Sequence, residues 1–107
     1  MEKSILGQWK NQLNSVMKID TCTPDGKISG TFLSSVGGAT SGKAYPVVGV
    51  IRQDKNLIAF SVLWDTSVTS WTGVLPSPTK MDVSWISQRD STWEGKLTGI
   101  DNFTKQS

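Results

Sequence analysis

The segment Leu57-Ile58-Ala59-Phe60-Ser61-Val62-Leu63-Trp64 decides the fold class of this chain. Large apolar side chains recur at every second position in it, namely Ile58, Phe60, Val62 and Trp64. Side chains alternate between the two faces of a β-strand, whereas a helix brings residues three or four positions apart onto one face. The segment therefore predicts a strand with one face buried.

Seven further segments with strand character lie on either side of it, bounded by Gly, Pro, Asn, Asp or Ser. They span residues 6–13, 15–20, 27–34, 45–52, 68–75, 80–87 and 92–98. Pro24-Asp25-Gly26 is a strong turn signal, Pro76-Ser77-Pro78 breaks the pattern again, and no segment favours a helix. Short strands joined by tight turns predict one all-β domain over residues 1–107, an eight-stranded antiparallel up-and-down β-barrel. Such a barrel holds side chains or one small ligand.

The charged residues give no sign of a nucleic-acid partner. Eleven basic and nine acidic residues leave a net charge of +2, and the basic residues form no cluster along the sequence. No segment approaches the about 20 consecutive apolar residues of a membrane span. Met1-Glu2-Lys3-Ser4 leads directly into the first predicted strand, so no signal peptide is expected.

Catalysis and metal binding are also disfavoured by composition. The chain has one cysteine, Cys22, and no histidine. An internal disulfide, the common zinc ligand sets and His-dependent nucleophiles are therefore excluded. No nucleophile–base pair is visible, which predicts a protein that is not an enzyme and holds no metal.

The five tryptophans indicate a ligand pocket: Trp9, Trp64, Trp71, Trp85 and Trp93. Tryptophan is costly to expose, and its N–H group needs a partner. Ser, Thr, Asn or Asp residues share the faces that carry these indoles, which predicts a barrel that is apolar at a closed end, where we place Trp9, and polar at its mouth. The alternative is that the hydroxyl groups bond only to the local backbone.

Five pieces of sequence, in this order and spacing, resemble the avidin–streptavidin family of biotin-binding β-barrels. They are Gly7-Gln8-Trp9-Lys10-Asn11-Gln12-Leu13-Asn14-Ser15, Gly30-Thr31-Phe32-Leu33-Ser34-Ser35-Val36-Gly37, Tyr45-Pro46-Val47-Val48-Gly49, Thr69-Ser70-Trp71-Thr72-Gly73, and Trp93 followed by Gly99-Ile100-Asp101-Asn102-Phe103-Thr104. The resemblance implies non-catalytic binding of biotin, without a cofactor, and a secreted protein.

The resemblance also implies roles at the polar end of the site. The ureido oxygen of biotin would accept hydrogen bonds from Asn11 and Ser15, and the ureido N–H groups would donate to Ser34 and Asp101. An ionised Asp101 would polarise the ureido group and place negative charge on that oxygen.

The remaining implied contacts surround the ring system and the acid chain of biotin. Indoles would cage the ring, a threonine would face its sulfur, a loop would close over the chain, and a backbone N–H and a serine hydroxyl would bind the carboxylate. The caging indoles would be Trp64, Trp71 and Trp85, and the threonine would be Thr69. The closing loop would be Val36, Gly37 and Gly38. The carboxylate would be bound by the backbone N–H of Gly38 and the hydroxyl of Ser67. Leu13 and Phe32 complete the predicted lining. Trp93 would reach into a neighbouring subunit, which implies a homotetramer, with a homodimer as the alternative.

Departures from the family pattern predict a weakened site. Phe32 stands where most members have Tyr, so one hydroxyl donor to the ureido oxygen is missing. Biotin should therefore bind more weakly than in the strongest members, by roughly tenfold or more. Ser87 stands where Leu is usual, and the connection from Trp64 to Trp71 is short, which leaves the role of Ser67 open. The alternatives are a lipocalin-like barrel that carries another small apolar ligand and an avidin-like barrel with a weakened site.

Overall fold

The eight strands form one closed antiparallel barrel. The computed structural model describes residues 5–35, 42–92 and 94–106. Each strand pairs with the next along the chain, and the eighth returns to the first. The strands are β1 Gly7–Lys10, β2 Val16–Cys22, β3 Lys27–Leu33, β4 Ala44–Arg52, β5 Leu57–Leu63, β6 Val68–Ser77, β7 Lys80–Gln88 and β8 Lys96–Lys105. The predicted fold class is confirmed.

The alternation that predicted β5 matches its burial. Ile58, Phe60 and Val62 point into the barrel and are at most 2% exposed, whereas Leu57 and Leu63 point outward and are 42% and 71% exposed. The inward set joins a core of apolar side chains contributed by all eight strands.

One end of the barrel is filled by this core. The Trp9 side chain is fully buried, and its Nε1–H donates to the carbonyl oxygen of Ile5 at 3.0 Å, so its polar group has a partner. Met17, Met81 and Phe103 are buried with it. The assignment of Trp9 to the core is confirmed.

Connections alternate between the two ends because each strand reverses direction. The β2–β3, β4–β5 and β6–β7 connections lie at the closed end, where Pro24-Asp25-Gly26 forms the predicted turn and Gly26 adopts a φ of +88°. The β1–β2, β3–β4, β5–β6 and β7–β8 connections lie at the other end, which is the open one.

The first predicted strand, residues 6–13, is wrong at its end, because β1 stops at Lys10. A turn begins at Asn11, whose carbonyl oxygen accepts a hydrogen bond from the Asn14 N–H, and Asn14 adopts a left-handed φ of +67°. Asn tolerates this conformation better than most residues.

The last predicted strand, residues 92–98, is wrong at both ends, because β8 runs from Lys96 to Lys105. Thr92 lies in the preceding connection, where its N–H and hydroxyl both bond to the Asp90 side chain. In β6 the strand continues through Pro76, which the sequence predicted as a break. The pairing with β7 shifts register between Val74 and Ser77, and this irregularity accommodates a residue without an N–H group.

Across the part of the chain that the structure describes, no helix has the length and apolar character needed to cross a membrane.

Candidate ligand-binding site

A cavity of about 340 Å³ opens at the end of the barrel where the β1–β2, β3–β4, β5–β6 and β7–β8 connections meet. This volume lies in the usual range for small-molecule sites. The structure brings eleven of the predicted site residues to its wall: Asn11, Leu13, Ser15, Phe32, Ser34, Trp64, Ser67, Thr69, Trp71, Trp85 and Asp101. The other four predicted positions, Val36, Gly37, Gly38 and Trp93, lie outside the described residues.

Asp101 is the buried acidic group of the cavity wall, with 5% of its surface exposed. Its Oδ2 accepts a hydrogen bond from Trp71 Nε1–H at 2.8 Å, and its Oδ1 accepts one from Gln12 Nε2–H at 3.0 Å. Two donors, one from strand β6 and one from the turn after β1, therefore fix the carboxylate, while its remaining lone pairs can serve a ligand donor.

Gln12 holds this carboxylate from the turn that follows β1. The same Nε2 group also donates to the Ile100 carbonyl oxygen at 3.0 Å, and Gln12 Oε1 accepts from the Asn102 N–H at 2.9 Å. Gln12 therefore links the first connection to β8 on both sides of Asp101. Gln12 was not among the predicted site residues, although its position within the first-strand motif was a usable signal.

Asn11 faces the cavity with an amide whose orientation is set by the backbone. Its Oδ1 accepts hydrogen bonds from the N–H groups of Leu13 at 3.0 Å and Ser15 at 2.9 Å. Because both contacts use the oxygen, the amide nitrogen remains as the donor that Asn11 offers to the cavity.

Two serines extend the polar wall. Ser15 is 2% exposed and Ser34 is 8% exposed. The Oγ of Ser15 accepts a hydrogen bond from the N–H of Ser35 at 2.9 Å, which ties the turn after β1 to the end of β3. The Ser15 hydroxyl is thus held by the fold rather than mobile on the surface.

Aromatic rings form the apolar wall. Phe32 stacks on Trp71 with 5.1 Å between centroids, and Phe60 stacks on Trp71 at 5.0 Å. Trp64 meets Phe32 edge to face at 5.7 Å. These contacts fix the orientation of Trp71.

Trp85 lies directly over Gly99 of the neighbouring strand. A Cβ atom at position 99 would come within 2.5 Å of the indole ring, which is closer than atoms can approach without displacement. Glycine at this position therefore permits the placement of the Trp85 ring beside the cavity.

A chain of hydrogen bonds connects three of the lining residues. Trp64 Nε1–H donates to Thr69 Oγ1 at 2.8 Å, and the Thr69 hydroxyl donates to Ser87 Oγ at 2.9 Å. Ser87 accepts this bond with its oxygen, so its own proton remains available to another acceptor.

An ionisable pair braces the rim of the cavity. The hydroxyl of Tyr45 donates to Asp65 Oδ2 at 3.0 Å, and Lys43 Nζ lies 3.4 Å from the same oxygen. The hydrogen bond from Tyr45, followed by that from Lys43, lowers the pKa of Asp65, while burial followed by the Asp65 contact raises the pKa of Tyr45.

Four residues line the cavity that were not predicted from the sequence: Thr66, Ser87, Arg89 and Leu97. Ser87 had been noted only as a departure from the family pattern. Thr66 and Arg89 lie in the β5–β6 and β7–β8 connections, and in an up-and-down barrel these connections share an end with the turn after β1. That rule of topology was the available signal.

Comparison with known proteins places this chain in a family. The family model described as the Avidin family matches residues 1–106. Avidin-related protein 6 of Gallus gallus is 26% identical over an alignment that covers 96% of this chain and 78% of that protein. Avidin-related protein 3 of the same organism is 27% identical over the same shares of the two chains.

Solved structures agree with the sequence relatives. Core-bradavidin superposes with a TM-score of 0.85 at 29% identity, covering 92% of this chain and 97% of that chain. A shwanavidin variant in complex with biotin superposes with a TM-score of 0.86 at 25% identity, covering 95% of this chain and 97% of that chain. The match over nearly the whole length, together with the closed eight-stranded barrel, shows that this chain belongs to the avidin family.

Proposed function

We propose that this protein binds biotin without catalysis, in the cavity at the open end of its barrel. The observation that carries the proposal is the pairing of the Asn11 amide donor with the buried Asp101 acceptor in one cavity. The ureido group of biotin has one acceptor oxygen and two donor N–H groups. It therefore needs donors and acceptors at fixed places, as this wall supplies.

The remaining polar and aromatic residues support the same ligand. In the proposed complex, Asn11 and Ser15 donate to the ureido oxygen, and its N–H groups donate to Ser34 and Asp101. The rings of Trp64, Trp71 and Trp85, which all line the cavity, enclose the bicyclic ring system of the ligand in this complex. Thr69 faces the ring sulfur, although its hydroxyl proton is directed to Ser87 in the unliganded protein.

A lipocalin-like barrel with an apolar ligand is disfavoured by two findings. The chain belongs to the avidin family. In addition, five polar side chains are buried among the residues that the structure describes, and all five line this cavity: Asn11, Ser15, Ser34, Thr69 and Asp101. Burial of so many polar groups beside a purely apolar ligand would leave hydrogen bonds unmade.

Association into a homotetramer is part of the proposal, with a homodimer as the alternative. Its support is an outer surface with exposed apolar side chains, among them Leu63 at 71%, Ile100 at 67% and Val48 at 60%. The contribution of Trp93 to a neighbouring site, the closure by Val36, Gly37 and Gly38, secretion, and the folding of the chain as one domain stay predictions.

Calorimetric titration with biotin tests the function. We expect one ligand per chain and a favourable enthalpy. Replacement Asp101→Asn removes the charge and turns an N–H group toward one of two existing donors, so we expect binding to weaken by about ten- to a hundredfold. Asp82→Asn is the matched control, because Asp82 is exposed on the neighbouring strand and lies outside the cavity.

Two outcomes would contradict the proposal. One is the absence of any binding by the folded wild-type protein. The other is an Asp101→Asn variant that binds biotin as tightly as the Asp82→Asn control.

A further inference from the structure

Arg89 stands at the rim of the cavity, at the point where β7 ends. It directly follows Gln88, the last residue of the strand, and its N–H donates to the Gly95 carbonyl oxygen at 3.0 Å. This bond closes the base of the β7–β8 connection and holds the Arg89 backbone beside the opening. The side chain is exposed and lines the cavity on one side.

The two charged residues of the cavity wall lie at different depths. Among the described residues that line it, Arg89 is the one cation and Asp101 the one anion. Asp101 is buried in the middle of β8, whereas Arg89 is exposed in the connection that precedes that strand. A ligand that offers N–H groups to Asp101 therefore meets positive charge where its far end leaves the barrel.

No acidic group among the described residues neutralises the Arg89 guanidinium within 4 Å. The neighbouring Asp90 is already engaged, because it accepts hydrogen bonds from the Thr92 N–H at 2.9 Å and the Thr92 hydroxyl at 2.6 Å. These two bonds are the main reason that the pKa of Asp90 is lowered, and the Arg89 charge contributes less. The guanidinium thus keeps its five N–H donors for a ligand.

We propose that Arg89 determines specificity at the outer end of the site by binding the free carboxylate of the ligand. The inference rests on the proposed biotin-binding function. With the ureido group at Asn11 and Asp101, the acid chain must run toward the opening, where Arg89 stands. A planar guanidinium binds a carboxylate through two parallel hydrogen bonds, which a neutral amide cannot accept. The site therefore prefers ligands with an ionised acid chain over derivatives in which that acid is an amide.

The experiment compares biotin with biotinamide, which differs only at the end of the chain. We expect the wild-type protein to bind biotin about three- to tenfold more tightly than biotinamide. This range lies between the effect of an exposed ion pair and the effect of a charge-assisted hydrogen bond. In Arg89→Gln the ratio of the two Kd values should fall to about one through loss of biotin affinity alone. Arg89→Lys, which keeps the charge without the fork, should retain part of the preference.

Lys96→Gln is the matched control. Lys96 lies in the same part of the open end and carries the same charge, but it does not line the cavity. Its removal should leave the ratio unchanged and thus separates a direct contact from the general effect of charge.

The outcomes separate this inference from the function on which it rests. A ratio of one in the wild-type protein, an unchanged ratio in Arg89→Gln, or an equal loss in Lys96→Gln would overturn the role of Arg89 while biotin binding stands. Failure of the wild-type protein to bind either ligand would overturn the proposed function as well.

Discussion

Replacing Phe32 by Tyr adds one hydroxyl group to the wall of the cavity. Phe32 lines the cavity with Asn11 and Ser15, and its own ring is 3% exposed. It is held by stacking on Trp71 at 5.1 Å, a contact that a tyrosine ring keeps. The change therefore alters the polarity of the wall with little change of shape.

The expected gain in biotin affinity is about tenfold. A neutral hydrogen bond contributes about 0.5–1.5 kcal/mol, and one to a charged group about 1.5–3 kcal/mol. Asp101 polarises the ureido group in the proposed complex, so the new bond to the ureido oxygen should contribute about 1.5 kcal/mol, where these ranges meet, which corresponds to about tenfold in Kd. The unliganded protein should lose little stability, because the hydroxyl enters a cavity of about 340 Å³ that is open to water.

The assay is competitive titration of biotin against both proteins, with thermal unfolding recorded for each. Phe60→Tyr is the matched control: it adds the same atom to a ring that stacks on Trp71 but does not line the cavity. The control should lose stability because its hydroxyl is buried among apolar side chains, and it should gain no affinity. A stably folded Phe32→Tyr protein that binds biotin no more tightly than wild type would refute the proposed donor arrangement around the ureido oxygen.

Two further changes test the walls and the rim of the site. Gly99→Ala places a methyl group within 2.5 Å of the Trp85 ring, so we expect a displaced indole, a strain of about 1–3 kcal/mol and weaker biotin binding. Tryptophan fluorescence reports the displacement, and titration reports the Kd for biotin. An unchanged spectrum and an unchanged Kd would contradict this expectation. Asp65→Asn removes a carboxylate whose pKa is lowered below 3.8 by the hydrogen bonds from Tyr45 and Lys43. The stabilising contribution of Asp65 is present above pH 3.8 and is lost as the pH falls through the lower folded pKa, so urea unfolding should show a difference from wild type at pH 6 that shrinks toward pH 2. A difference that is independent of pH would show that the carboxylate charge is not responsible.

The barrel itself was accessible from the sequence because its signals are local. Alternation in residues 57–64 requires only neighbouring side chains, and Pro24-Asp25-Gly26 is a turn by its own chemistry. The errors at strand ends have a different origin. Residues 11–13 continue the strand-like pattern of β1, but the side-chain contacts of Asn11 and the left-handed Asn14 end the strand, and neither can be read from polarity.

The site was predicted in part because its deepest residues belong to sequence motifs and its outer residues do not. Asn11 and Asp101 stand within the segments that carry the family resemblance, and the structure brings them to one cavity. Arg89 lies in a connection without a motif, and only the direction of the strands puts it at the opening. Gln12 was missed for a further reason: its role depends on contacts with residues about 90 positions away.

The hydrogen bonds of Gln12 also affect the stability of the closed barrel. The first and last strands meet in only two residue pairs, so this seam is the shortest of the eight. The Gln12 carboxamide donates one hydrogen bond to the Ile100 carbonyl oxygen and accepts one from the Asn102 N–H. It thus replaces a backbone peptide group and extends the pairing at that seam. The Gln12 Nε2 group also donates a hydrogen bond to Asp101. A ligand that immobilises this carboxylate would therefore strengthen the seam where the first and last strands would separate. Ligand binding at the mouth should therefore stabilise the closed barrel against unfolding that begins at this seam.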